Sequence, residues 1–162
     1  MSKTNTISGF HHTAVNVSNM EEAIAFFTEK LGMNLLFEPQ EAYGREFENA
    51  TKVKGARIKF AMLEAGGGDT LFELIEYTRP VSSSRGKKLY DVGAPHIAFQ
   101  VANITEACKR LEEKGIVFNS SPVNIQAGPL AGRSFVYFPG PDGVLLELFQ
   151  EKSTGKRKRR RG

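Results

Sequence analysis

The chain holds one cysteine, no tryptophan and no apolar run approaching the roughly 20 residues that span a membrane. A lone Cys108 cannot close an internal disulfide, which fits a reducing compartment. There is no zinc-finger spacing and no RNA-recognition aromatic motif, so nothing in the body of the chain asks for nucleic acid. The N-terminus carries no apolar leader with a cleavage site. These absences lead to the expectation of a cytoplasmic protein with no membrane partner.

Positive charge is scarcer than the total suggests. The formal net charge is +4, but Lys156 to Arg161 are six consecutive cations, so the rest of the chain carries −2. The body is slightly acidic, and the basic character belongs to a Gly-flanked run. Such a run repels itself, so 153–162 is expected to be a disordered tail. A basic arm that touches nucleic acid or anionic surfaces is the alternative. With 162 residues, 40% hydrophobic and 25% charged, there is chain enough for one well-cored domain, expected over residues 1–152.

What the chain does have is a repeat. From His12 it reads His-Thr-Ala-Val-Asn-Val-Ser-Asn-Met-Glu-Glu-Ala, and from His96, 84 residues on, His-Ile-Ala-Phe-Gln-Val-Ala-Asn-Ile-Thr-Glu-Ala. Six of these twelve positions are identical without a gap, among them His12/His96, Asn19/Asn103 and Glu22/Glu106. Each half closes on a matching strand, Leu71-Phe-Glu-Leu and Leu145-Leu-Glu-Leu, which pairs Glu73 with Glu147. The chain is therefore a duplicated module, over residues 8–78 and 94–151, each copy with one His near its start and one Glu near its end. Two imidazoles and two carboxylates placed by symmetry are what a divalent metal centre needs.

Periodicity supplies the elements. Phe10 to Val17 reads as a strand. Asn19 is an N-cap with Glu22 three residues on to close a capping box, and Ile24, Phe27 and Leu31 form the apolar stripe of a helix that Gly32 ends. Short strands are expected over residues 35–38, 56–64 and 70–77, the last two joined by a turn at Gly66 to Asp69. Residues 41–55 read only as a polar stretch, and 79–93 as a linker. The second module repeats the plan: a strand from His96, a helix capped by Asn103 with Glu106 that runs to Gly115, then strands over 116–118, 133–138 and 144–149. In the first strand His12 shares a face with Ala14 and Asn16, whereas His11 is expected on the other. A Glu between leucines in a strand is costly to bury without a compensating cation or donor.

The segments HTAVNVSNMEEAIAFFTEKLGM, TLFELIEY, PHIAFQV and FVYFPGPDGVLLELF together resemble the vicinal oxygen chelate superfamily, which includes glyoxalase I, methylmalonyl-CoA epimerase, extradiol dioxygenases and the fosfomycin- and bleomycin-resistance proteins. The resemblance covers residues 8 to about 152. It implies an α+β fold in which two paired βαβββ modules form a half-open mixed sheet around a metal. It places the metal positions at His12, Glu73, His96 and Glu147, all four ligand-competent here. It also implies a homodimer, in keeping with outer strands whose edges need cover.

The leading reading is a metal-dependent lyase or isomerase of the glyoxalase or epimerase type. The substrate would be a small molecule with adjacent oxygens. A proton would pass through a metal-stabilised enediolate or enolate, with Glu147 or Glu73 as the mobile base. Zn, Ni, Co, Mn and Fe all suit such a ligand set. An Fe(II) ring-cleavage dioxygenase is the alternative, although it needs two His, one carboxylate and open sites, and Glu73 would fill one of them. A non-catalytic small-molecule binding protein of the resistance type is the third reading. The residues that help bacterial glyoxalase I hold glutathione, an Arg near Glu22 and an Asn at Tyr77, are missing. Arg57, Lys59 and Arg133 are candidate clamps for a substrate carboxylate. Tyr137 and Phe99 read as core.

Overall fold

The computed structural model describes residues 6–66, 70–81 and 88–152. The tail at 153–162, most of the expected turn at Gly66 to Asp69 and the middle of the linker lie outside the described residues. Contacts divide the chain into two compact units, one reaching to Arg85 and the other starting at Gly86. Each has its own mixed sheet, and the class is α+β as expected.

The first unit contains β1 (His12–Asn16), α1 (Met20–Ala25), β2 (Asn34–Leu35), β3 (Gln40–Tyr43), α2 (Arg45–Thr51), β4 (Arg57–Glu64) and β5 (Leu71–Arg79). The sheet order is β1-β5-β4-β2, with β3 also on β4. The second contains β6 (His96–Gln100), α3 (Ile104–Glu113), β7 (Val123–Asn124), β8 (Ser134–Pro139) and β9 (Leu145–Gln150), ordered β6-β9-β8-β7. In both, the opening strand lies parallel to the closing one, and the closing strand is antiparallel to its hairpin partner.

Both helices start as their sequences require. Asn19 Oδ1 accepts the backbone N–H of Glu21 and Glu22, and Asn103 Oδ1 accepts that of Glu106. A second device ties each helix to its sheet. Glu76, three residues past Glu73, accepts the N–H of Met20 at 2.9 Å, and Gln150, three past Glu147, accepts that of Ile104 at 2.6 Å. After Ala25 the first helix widens to a π turn over Phe26–Lys30, which leaves Phe27 fully buried against Phe72. Each core lies on the helix side of its sheet: Ala61, Leu63, Phe72 and Leu74 in one unit, Val136, Phe138, Leu146 and Leu148 in the other. Burying these side chains supplies the main driving force for folding.

Four expectations need correction. Residues 41–55 are not plain loop, because they hold most of β3 and all of α2. Polar strands and helices with little buried surface leave no periodic apolar trace, and α2 buries no residue. The strand expected over 116–118 is absent; the edge position is taken by Val123–Asn124 instead, paired with β8. The strand expected over 35–38 ends at Leu35. His11 precedes β1 rather than lying within it, so strand alternation does not govern its direction.

Candidate metal centre

Register sets the geometry of each half. In the first unit His12 pairs with Leu71 and Ala14 with Glu73; in the second His96 pairs with Leu145 and Ala98 with Glu147. Neighbours in register on parallel strands face the same way, so each His shares a face with the Glu two positions along. His12 Nε2 lies 3.5 Å from Glu73 Oε2, and His96 Nε2 lies 3.1 Å from Glu147 Oε2. The same diagonal pair has thus been built twice, from residues chosen in the sequence by the repeat alone.

The structure joins His12 to Glu73 and His96 to Glu147. Among the described residues, no group of three or more His, Cys, Asp or Glu stands close enough to hold one ion. The donor chemistry nevertheless suits a divalent cation. Each unit sets one imidazole nitrogen beside one carboxylate oxygen, the mixture that Zn, Ni, Co, Mn and Fe accept. Glu147 is only 5% exposed, and burial pushes its carboxyl above the usual carboxylate range; His96 and the hydrogen bonds from Tyr137 and His96 pull the other way without cancelling it. A buried carboxylate in that state is one a cation would stabilise.

Two residues at these pairs escaped the reading of the sequence. Tyr137 is not plain core. It stands directly across from Glu147 on β8, and its ring meets His96 edge-on at 5.5 Å. Burial, and then the Glu147 charge and hydrogen bond, raise the Tyr137 hydroxyl above the ordinary phenol value. The turn at Pro141–Gly143 carried the signal. A hairpin centred on Asp142 pairs the residue five before it with the residue five after it, which is Tyr137 with Glu147. Gly140 lets this turn close, since a Cβ there would stand 2.8 Å from Leu146 Cδ1 and 2.9 Å from Val144 Cγ1. The second residue is His11, whose Nδ1 shares a 2.8 Å hydrogen bond with Nδ1 of His12. That bond leaves Nε2 of His12 as the nitrogen presented to Glu73.

The candidate clamps have neighbours of their own. Arg133 pairs with Glu151 at 2.6 Å and donates to the Pro129 carbonyl, and Arg57 lies over the Tyr43 ring at 4.6 Å. Lys59 lies across from Glu76 and Glu41 on the neighbouring strands. Phe99 lies across from the buried Leu148, on the face away from His96, as a core residue should. A groove of about 590 Å³ runs along α3 and residues 116–122, and it includes neither His96 nor Glu147.

The model of the glyoxalase/bleomycin resistance protein/dioxygenase superfamily matches residues 9–148. The chain belongs to that superfamily. It is 35% identical over 141 residues to a 2-epi-5-epi-valiolone epimerase of an Actinomyces species, covering 85% of this chain and 76% of that protein. It is 33% identical over 150 residues to the lactoylglutathione lyase of Salmonella typhimurium, covering 90% of this chain and 94% of the lyase. In fold it matches a glyoxalase family protein from Bacillus cereus with a TM-score of 0.76 at 22% identity, over 94% of this chain and all of the other. The similar enzymes include an isomerase and a lyase, and members of the superfamily typically use divalent metals. No helix among the described residues is long and apolar enough to cross a membrane.

Proposed function

We propose that this protein is a metal-dependent lyase or isomerase that moves a proton on a small α-hydroxy carbonyl compound. The observation that carries the reading is the His–Glu pair repeated in one register in both units, His12 with Glu73 and His96 with Glu147. Each pair supplies one imidazole and one carboxylate of the kind of donor set a divalent ion takes. The ion, when bound, supplies Lewis-acid polarisation of two adjacent substrate oxygens. The chain's own part is to hold those donors and to move a proton with one carboxylate. Around Glu73 the strand face carries Phe60, Met62 and Ile75; around Glu147 it carries Phe135, Tyr137 and Phe149. Such apolar surroundings strengthen every charge interaction at the reacting atoms.

The names of two relatives support the substrate class. Lactoylglutathione and 2-epi-5-epi-valiolone both set a hydroxyl-bearing carbon beside a carbonyl, so one acidic C–H and two neighbouring oxygens are common to them. An Fe(II) ring-cleavage reaction is less well supported, because it calls for one carboxylate and open sites whereas this donor set has two carboxylates.

Metal analysis of protein purified without oxygen, followed by solvent deuterium exchange, tests the proposal. The expected result is about one Zn, Ni, Co or Mn per chain and deuterium entering the α-carbon of S-lactoylglutathione or 2-epi-5-epi-valiolone. Oxygen-sensitive Fe(II) with no exchange would turn the assignment to ring cleavage. Protein that takes up no divalent ion would turn it to plain small-molecule binding.

A further inference from the structure

At one end of the first sheet three residues stand in a row across three strands: Tyr43 on β3, Arg57 on β4 and Arg79 on β5. A bulge makes this row. By alternation along β5, Arg79 would share a face with Glu73. Thr78 has no partner on β4, however, and the register resumes with Arg57 across from Arg79. One extra residue turns the next side chain to the other face, so Arg79 is brought over to join Arg57. The Thr78 hydroxyl donates to the Arg57 carbonyl at 3.1 Å and pins the bulge.

The next row on the same face, Glu41, Lys59 and Glu76, sets one cation between two carboxylates. The end row sets two guanidinium groups side by side and has no carboxylate. Directly opposed residues have Cβ atoms about 4.5–5.5 Å apart, where like charges repel. Among the described residues neither Arg57 nor Arg79 forms an ion pair, and both are exposed. Arg57 is nevertheless held, over the Tyr43 ring at 4.6 Å. The turn before β4 carries the exposed Lys54, and its Gly55, at φ +69°, lies close to the second guanidinium: a Cβ there would stand 3.6 Å from Arg79 Nε. Met62, the partner of Glu73, is on the opposite face of β4 from Arg57 and five residues along it, about 17 Å away at the usual strand rise. The row is thus separate from the His12–Glu73 pair.

We infer that Tyr43, Arg57 and Arg79 form a binding site for a phosphate dianion, with Lys54 adding positive charge at its edge. A guanidinium presents paired N–H donors in a fork that matches an oxyanion. A phosphate group at neutral pH carries about −1.5 to −2, so it offsets both arginines, whereas a monocarboxylate offsets only one. The bound anion supplies the negative charge that Glu41 and Glu76 give to Lys59 in the next row. Free phosphate and a phosphate ester of a small molecule share this chemistry.

NMR of the arginine Nε–H groups in the full chain tests the site, with inorganic phosphate, glycerol 3-phosphate or acetate added at constant ionic strength. Both phosphates should move the Arg57 and Arg79 signals together and saturably, and acetate should move them far less. Tighter binding of glycerol 3-phosphate marks an ester as the ligand, and equal binding marks free phosphate. Arg79→Gln should weaken phosphate binding about tenfold, the usual effect of losing a hydrogen bond to a charged group. It should also raise the melting temperature of the ligand-free protein, because it removes one of two opposed like charges; a merely structural arginine would lower it. Arg79→Lys keeps the charge but loses the fork, so it should bind phosphate more weakly than wild type, and it stands in if Arg79→Gln does not fold. Lys59→Gln should leave phosphate binding unchanged. No saturable shift, acetate matching phosphate, full binding by Arg79→Lys, or a melting temperature that falls in Arg79→Gln would overturn the site. Equal weakening by Lys59→Gln and Arg79→Gln would reduce it to an adventitious ion only.

Discussion

The two halves of this chain repeat one construction and finish it differently. Both lay a His-bearing strand parallel to a Glu-bearing strand in the same register, and both tie the helix start to the side chain three residues past that Glu. The second half buries its carboxylate under a tyrosine. The first leaves its carboxylate more open, beside a methionine, and spends ten more residues between His and Glu, enough for β3 and α2. A duplication preserves the backbone register because one slipped residue would turn every side chain to the wrong face. It does not preserve the cross-strand neighbour, which is Met62 for Glu73 and Tyr137 for Glu147.

The largest expected effect comes from removing an imidazole. His96→Ala and His12→Ala should each weaken metal binding by more than the roughly 10–100-fold that an outer partner is worth, with His96→Ala the worse because it also removes the contact with Tyr137. Metal retained per chain after gel filtration against a weak chelator reads this directly. Equal losses would erase the difference between the halves.

Smaller effects belong to the caps. Asn19 holds two backbone donors and Asn103 one. Each Asn→Ala change should cost about 1 kcal/mol in urea unfolding, with Asn19→Ala the more harmful. The smallest effect is a pH slope in metal-free protein. Burial raises the folded Glu147 carboxyl above its ordinary value of 4.5, so the folded state keeps a proton that the unfolded chain releases. That group then costs nothing below the unfolded value, and the destabilisation grows as pH rises from the unfolded value to the folded one. The urea midpoints of wild type and Glu147→Gln should therefore coincide at acid pH and separate above about 4.5, with the variant the more stable.

Much of this was legible in the amino-acid order. The repeat picked out His12, His96, Glu73 and Glu147, and strand alternation set His12 beside Ala14; both survive as register in the sheets. The caps at Asn19 and Asn103 were legible because a side-chain oxygen before an acidic first turn has one local use. The polar β3 and α2 were not, since neither writes a periodic apolar pattern. Tyr137 was misread because its partner lies on another strand, where only the hairpin register brings the two together. His11 was misread because a residue just outside a strand does not obey the strand's alternation.

The central claim is that the repeated His–Glu pairs are metal ligands, and Co(II) titration of the metal-free chain tests it most directly. The account predicts Co(II) binding by the wild-type chain that weakens when either His12 or His96 is replaced by Ala. Co(II) binding left unchanged by both substitutions would contradict it.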